Sequence, residues 1–424
     1  GYDMNILMVT NTYLPHVGGV ARSVSAFTEQ YRKAGHRTVV VAPVFPNQPE
    51  SEQDVIRVPA IQNFNGSDFS MAIPVPGFLK AHLESFKPDI VHSHHPYLLG
   101  STAMRVASGW GCPLIFTHHT MYEQYLHYVP ANAPRMKEFV INLVTGYCGL
   151  CDHVVAPSQT IAQILQMRGI KTPIQTIPTG VDVARFADGD GASIRKQYQI
   201  PADAFVVGYV GRLAAEKNLQ FLARAVADFV ASKDDAWFLA VGSGESDADI
   251  RAAFEEAGVA NRLILSGALE GRELIDAYHA TDILAFASKS ETQGMVLAEA
   301  MAASVPVVAI DASGVREVVR NRVNGRLLRT ENQSTFSRAL DDMYVSNDKK
   351  MAEYRKEAYA TAEKFALTSC AERMLDLYHK AMDAKPDPSR EDHLWERAVE
   401  QVKAEWELLK NWAEAAGGNG KEIV

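Results

Sequence analysis

The sequence predicts an α/β protein made of two doubly wound, Rossmann-like domains facing a cleft, with a carboxy-terminal helical extension. Three observations lead there. Short Val- and Ile-rich runs alternate with helical patterns along most of the chain, as expected for parallel sheets covered on both faces. The alternation breaks once, over 179–201, and then resumes. At 424 residues the chain also exceeds what one core ordinarily organises.

Taken in order, residues 5–10 form an apolar strand, followed by a glycine turn and a helix over 20–34. Strands recur at 37–42, 89–94, 113–117, 153–156 and 173–177. The segment 179–201 is rich in Gly, Asp and Ala, holds no stable period, and reads as a linker. A second alternation follows: strand 205–211, helix 217–231, strand 236–241, helix 247–257, strands 262–266 and 282–286, helix 295–303 and strand 306–310. A turn at Ser313-Gly314 ends it, and 367–383 reads as one helix. The expected division is an amino-terminal domain over 4–180 and a second domain over 181–366. A helix within 367–385 then crosses back to the first, and 386–424 form an extension. In the extension Trp395, Val399, Val402, Trp406, Leu409 and Ala413 recur in steps of four and three, a heptad seam suited to self-association or docking. A membrane-surface helix is the alternative, against which its acidic polar face argues.

Composition narrows the function. Hydrophobic content of 47% with 22% charged residues suits a soluble globular protein, and a formal charge of -9 argues against a dedicated nucleic-acid binder. No apolar run is long enough to span a bilayer. The first strand begins just after Met4, which leaves no room for a signal peptide. Four cysteines (Cys112, Cys148, Cys151 and Cys370) are too few and scattered for a disulfide framework, and fit a reducing cytoplasm. Cys148-Gly-Leu-Cys151 has no second pair for zinc and sits at a helix end, whereas a reactive thiol prefers a helix start.

The most informative stretch is Glu291-Thr-Gln-Gly294-Met295-Val296-Leu-Ala-Glu299, in which two carboxylates lie eight positions apart around a helix start. Free N–H groups and the positive dipole end there favour an anion, above all phosphate. The flanking glutamates suit a ligand that is phosphate at one end and hydroxylated at the other, as a sugar nucleotide is. An ordinary surface loop and helix is the bland alternative.

Other residues point the same way. Gly18-Gly19 follows the first strand and lets backbone approach a ligand closely. Neither it nor Gly242-Ser-Gly244 completes the dinucleotide fingerprint. Arg22, one turn on, either meets a phosphate or faces solvent. Arg212 and Lys217 flank a strand end and the next helix start, where cations would converge on a diphosphate and stabilise its departure. His92-Ser-His94-His95 and His118-His119 fall at strand ends. One histidine is expected to face the cleft while the others pack or cap. Asp188-Gly-Asp190 and Asp247-Ala-Asp249 match a metal pattern by chance only, so no essential metal is expected.

Together these residues resemble the retaining GT-B glycosyltransferases of family 4. The resemblance spans 4–383 and rests on five motifs in family order. They are Pro15-His-Val-Gly-Gly19, Ile177-Pro-Thr-Gly-Val-Asp182, Gly208-Tyr-Val-Gly-Arg212 with Lys217, Val241-Gly-Ser-Gly244, and Glu291 through Ala303. The resemblance implies that Arg212 and Lys217 bind the donor diphosphate, aided by the helix start after Gly294 and by the Gly19 backbone. It also implies that Glu299 holds the ribose hydroxyls, Glu291 lies against the hexose, and His119 contacts the sugar near the anomeric carbon. Retention by front-face attack without a metal follows from the same resemblance, as does no cofactor beyond a nucleotide-sugar co-substrate, UDP-glucose first. The loop holding Tyr122, Tyr125, His127 and Tyr128 is similar to that of bacterial diacylglycerol glucosyltransferases. There the tyrosines would form an aromatic wall for a lipid acceptor, or simply pack between domains.

The leading expectation is therefore hexose transfer from UDP-glucose to a hydroxyl acceptor such as diacylglycerol, in the cytoplasm with peripheral contact to the inner membrane face. The helix around Arg135 and Lys137 is apolar but poor in cations, which weighs against firm membrane attachment. A transferase acting on a soluble sugar or polysaccharide is the second reading, and a non-catalytic sugar-nucleotide-binding scaffold the third. Domain closure is expected to exclude water during transfer.

Overall fold

The computed structural model describes residues 3–16, 18–61, 71–72, 76–119, 133–289, 291 and 294–384. Two compact units divide the chain: residues 1–178 with 370–424, and residues 179–369.

The first unit runs β1 (Asn5–Val9), α1 (Gly19–Lys33), β2 (Arg37–Pro43), β3 (Val55–Val58), β4 (Ala60–Ile61), β5 (Met71–Ala72) and α2 (Pro76–Phe86). It continues with β6 (Ile90–Ser93), α3 (Leu99–Trp110), β7 (Leu114–Thr117), α4 (Ala133–Leu150), β8 (His153–Ala156), α5 (Gln159–Met167) and β9 (Ile174–Thr176). Seven parallel strands stand in the order β3-β2-β1-β6-β7-β8-β9, and β4 with β5 forms a small antiparallel pair. Strand order reverses between β1 and β6. Leu7, Val9, Val91, Leu114, Phe116 and Val154 share one core with residues of α2 to α5. Their neighbours Ile6, Met8, Val40 and Ile90 are equally buried, so both faces of the sheet are covered and the strands have no polar face.

The second unit opens with α6 (Val183–Ala187) and α7 (Gly191–Gln197). Then come β10 (Phe205–Val210), a 3-10 turn at Ala215–Lys217, α8 (Leu219–Ala231), β11 (Ala236–Val241), α9 (Asp247–Glu256), β12 (Leu263–Gly267), α10 (Gly271–His279), β13 (Ile283–Phe286) and α11 (Met295–Ala302). It closes with β14 (Val307–Ile310), β15 (Gly325–Leu328), α12 (Gln333–Tyr344) and α13 (Asp348–Lys364), and α14 (Leu367–Asp383) follows. Six parallel strands take the order β12-β11-β10-β13-β14-β15, which reverses between β10 and β13. This is the doubly wound order whose ligands lie beyond the carboxyl ends at the reversal.

Most predicted strands and helices recur within one or two residues of their expected ends, and two differences have physical causes. The segment 179–201 is not a periodless linker, because it contains α6 and α7. Asp182 accepts the Arg185 N–H at 3.3 Å and Asp190 accepts the Ser193 N–H at 3.3 Å, so aspartates that look like loop residues are N-caps. Strands β3 and β15 went unseen because they are sheet edges. They are only half-buried and each carries an arginine, so neither reads as a wholly apolar run.

Helix α14 packs in the first unit from Cys370 onward. Cys370, Ala371, Met374, Leu377, Tyr378 and Ala381 form its buried stripe at helical spacing. The Tyr378 hydroxyl lies 3.2 Å from the Tyr31 hydroxyl of α1 and also pairs with His92 Nδ1 of β6. Among the described residues no helix is long and apolar enough to cross a membrane. The heptad positions 395–413 lie outside the described residues.

Replacing Tyr378 by Phe strips a buried hydroxyl from two polar partners while keeping the ring. Chemical denaturation should show the first unit destabilised by about 1–3 kcal/mol. An unchanged unfolding midpoint would mean this contact does not anchor α14.

Candidate active site

In the second unit, the loops leaving β10 and β11 are laced together by backbone. The Gly211 N–H donates to the Val241 carbonyl (3.0 Å), the Leu213 N–H to that of Ser243 (2.9 Å), and the Ser246 N–H to that of Leu213 (2.8 Å). At Gly242, φ is 150° and a Cβ would stand 1.8 Å from the Gly211 carbonyl oxygen, so only glycine lets these loops meet. The glycines of Val241-Gly-Ser-Gly244 thus serve backbone-to-backbone approach.

The charged residues of this region come as pairs. Lys217, ending the 3-10 turn, places Nζ 2.5 Å from Glu291 Oε1, with 16% and 18% of the two side chains exposed. Arg212 reaches Glu216 at 2.9 Å and is 64% exposed. Asn218, in left-handed backbone (φ 56°), donates to the Ala287 carbonyl at 3.2 Å and to Glu331 Oε1 at 2.8 Å. Lys289 holds the other Glu331 oxygen. Hydrogen bonds from Lys289 and Asn218 keep the Glu331 carboxyl below its ordinary range. The two cations that the sequence sets on one diphosphate are therefore partnered separately, and Lys217 meets the very glutamate expected at the sugar.

Helix α11 begins at Gly294, whose φ of 60° suits glycine and whose Cβ would stand 2.7 Å from the Gly314 carbonyl oxygen. The Leu297 and Ala298 N–H groups return to the Gly294 carbonyl (3.0 and 3.2 Å). Those of Met295 and Val296 have no acceptor within the helix, as in any first turn. One turn on, half-buried Glu299 takes a 2.8 Å hydrogen bond from the Tyr278 hydroxyl at Oε2. Burial first, and the Glu299 charge second, push the Tyr278 hydroxyl well above its ordinary pKa, so it remains a donor.

In the first unit Gly18 is the extended N-cap of α1 and Gly19 its exposed first residue. A Cβ on Gly19 would meet nothing within 4 Å, so packing does not require glycine there. Arg22 lies on the exposed face of α1. His92, His94, His95, His118 and His119, following or ending β6 and β7, are all buried. His94 Nδ1 lies 2.9 Å from His119 Nε2, and His92 stacks on His94 with centroids 4.3 Å apart and planes 15° apart. His92 Nε2 meets Thr117 Oγ1 at 2.6 Å, and His95 Nδ1 accepts the Asn11 N–H at 3.0 Å. Burial first, and neighbouring histidines second, lower His92, His95 and His119 to about 3, and push His94 well below its ordinary value.

Tyr122, Tyr125, His127 and Tyr128 lie outside the described residues. Cys148 is buried at the end of α4, and burial pushes its thiol up to about 12, which suits packing rather than redox work. Asp247 and Asp249 stand in the first turn of α9. Sequence reasoning missed Tyr278, Glu216, Asn218, Glu331 and the His94 partnership with His119. Only Tyr278 had a usable signal: a tyrosine on an apolar helical stripe needs a partner for its hydroxyl.

Comparison with known proteins identifies the family. Residues 17–185 match the family model for Glycosyltransferase Family 4, and residues 190–361 match Glycosyl transferases group 1. A GDP-mannose-dependent alpha-mannosyltransferase of Mycobacterium tuberculosis is 30% identical over 333 residues, covering 77% of this chain and 84% of that protein. An alpha-monoglucosyldiacylglycerol synthase of Streptococcus pneumoniae is 27% identical over 332 residues, covering 76% of this chain and 75% of that protein. In fold, the Anabaena protein HepE, solved in complex with UDP, superposes with a TM-score of 0.70 at 18% identity, covering 89% of this chain and all of that one. The chain belongs to glycosyltransferase family 4, with the GT-B fold, and is a glycosyltransferase.

The buried histidines make stability depend on pH. Folded, His92, His95 and His119 ionise near 3; unfolded, near 6.5. Below 6.5 the unfolded chain takes up protons that the folded chain refuses. Stability is therefore full above 6.5 and falls as pH drops toward 3. Urea denaturation at a series of pH values should show the first unit weakening through this window. A flat profile would mean the rings are not held neutral.

Proposed function

We propose that this family 4 glycosyltransferase moves a hexose from a nucleoside diphosphate sugar to a hydroxyl acceptor with retention of anomeric configuration and without a metal. UDP-glucose is the first-choice donor and diacylglycerol the first-choice acceptor. The observation that carries the reading is the Lys217–Glu291 pair set ahead of the α11 N-terminus, with Glu299 one turn further on.

A sugar nucleotide has three parts, and this arrangement offers a chemistry for each. Lys217, Arg212 and the first N–H groups of α11 would take the diphosphate, whose negative charge grows as the bond from C1 to its phosphate oxygen breaks. Glu299, with one oxygen held by Tyr278, would accept from the ribose hydroxyls. Glu291 would accept from hydroxyls of the hexose, and a diphosphate on Lys217 would replace part of its contact with Glu291. Front-face attack closes the balance. The acceptor oxygen bonds to C1 on the face the phosphate leaves, and the departing phosphate oxygen takes the acceptor proton. No separate carboxylate nucleophile is then needed. Resemblance alone assigns Gly19 and His119 to this reaction. For Gly19 the exposed helix start supports it, since packing gives no reason for glycine there.

The lipid acceptor is supported by the pneumococcal relative, an alpha-monoglucosyldiacylglycerol synthase. A mannosyl donor is the second reading, favoured by the mycobacterial relative, a GDP-mannose-dependent alpha-mannosyltransferase. Both keep the residue roles above.

Mass spectrometry of products from UDP-glucose with diacylglycerol vesicles, run without added metal, should detect hexosyl-diacylglycerol. UDP release without lipid product would move the acceptor to a soluble sugar, and silence with UDP-glucose but transfer from GDP-mannose would change the donor. Glu299→Ala and Lys217→Ala should each lower kcat by about 10²–10³ with the fold intact. Near-normal turnover by both would reject the site.

A further inference from the structure

We propose that His94 holds the His119 ring in the tautomer protonated on Nδ1, so that His119 meets its ligand as a neutral hydrogen-bond donor. The part concerning the ligand rests on the reading of His119 given above; the tautomer does not.

The argument starts from one hydrogen bond between two neutral rings. His94 Nδ1 and His119 Nε2 are 2.9 Å apart, so one of these nitrogens carries the shared proton. A neutral imidazole has a single N–H, and whichever nitrogen holds it leaves the other as an acceptor. If His119 donated from Nε2, His94 would accept at Nδ1 and carry its own proton on Nε2. That Nε2 is buried and has no hydrogen-bond partner among the described residues. A buried N–H without an acceptor is the costly kind of defect. If His94 donates from Nδ1, its Nε2 is a bare lone pair, which the protein tolerates more readily. His119 then accepts at Nε2, and its proton resides on Nδ1.

The surroundings hold His94 in place for this task. His92 stacks on its face at 4.3 Å and is itself fixed at both nitrogens, by Thr117 Oγ1 and the Tyr378 hydroxyl. Burial keeps these rings uncharged near neutral pH, so the one-proton count applies to each. His94 is thus a positioning residue. It makes Nδ1–H of His119 a donor for an oxygen of the sugar nucleotide, and denies His119 the role of proton acceptor.

Long-range proton–nitrogen spectra of the ligand-free full chain, labelled with 15N-histidine, read the tautomer directly once His119→Asn has identified the His119 signals. The expected spectrum has a protonated Nδ1 and a bare Nε2 on His119; a protonated Nε2 overturns the proposal. His94→Leu, with folding checked by circular dichroism, should move His119 toward the Nε2–H form and lower kcat at least tenfold with little change in donor KM. His94→Asn, whose amide can supply an N–H in place of Nδ1, should restore the tautomer and most of kcat. An unchanged His119 tautomer in His94→Leu also overturns the proposal. A changed tautomer with unchanged transfer upholds the tautomer and rejects the contact of His119 with the donor.

Discussion

Both sheets are covered by helices on their two faces, and the rest of the molecule follows from that constraint. A strand buried on both sides has no polar face, so Ile6, Leu7, Met8 and Val9 of β1 are all buried. Chemistry-bearing side chains are thereby kept to strand ends, the loops beyond them and the helices that follow. Where strand order reverses, between β1 and β6 and between β10 and β13, neighbouring strands send their chains to opposite sides. The carboxyl ends there are left open to polar residues.

Each unit fills its reversal differently. In the second unit the filling is ionic: Lys217 with Glu291, Arg212 with Glu216, and Lys289 with Glu331. Paired charges of both signs can exchange partners when a ligand brings its own, without leaving a buried charge unpaired. Backbone proximity is the other requirement, met where Gly242 passes the Gly211 carbonyl and Gly294 passes that of Gly314. In the first unit the filling is neutral. Buried histidines bond to one another and to the backbone, and Tyr378 ties that network to the last described helix. Neutral rings supply directional donors and acceptors where a charge would be costly.

Much of this was legible in the sequence. Wholly apolar runs separated by helical periods specify buried parallel strands, because no other element combines their length, composition and spacing. Glu291, Gly294 and Glu299 announced a helix start, which Gly294 caps in left-handed backbone that side chains resist. The family was legible as well, through motifs whose order no local propensity would produce. The edge strands β3 and β15 were not, because half-exposed edges tolerate arginine and lose the apolar signature. Nor were α6 and α7, whose capping aspartates look like loop residues until the N–H groups they accept are known.

The sequence by itself determined which residue types stand at the ends of which strands, and hence the class of chemistry available. Only tertiary structure decided their partnerships: Lys217 with Glu291 across 74 positions, Tyr278 with Glu299 across 21, and His94 with His119 across 25. The physical reason is that local order depends on neighbours along the chain, which the sequence displays. A hydrogen bond between loops depends instead on the twist and register of a whole sheet, which bring together residues with no local relation.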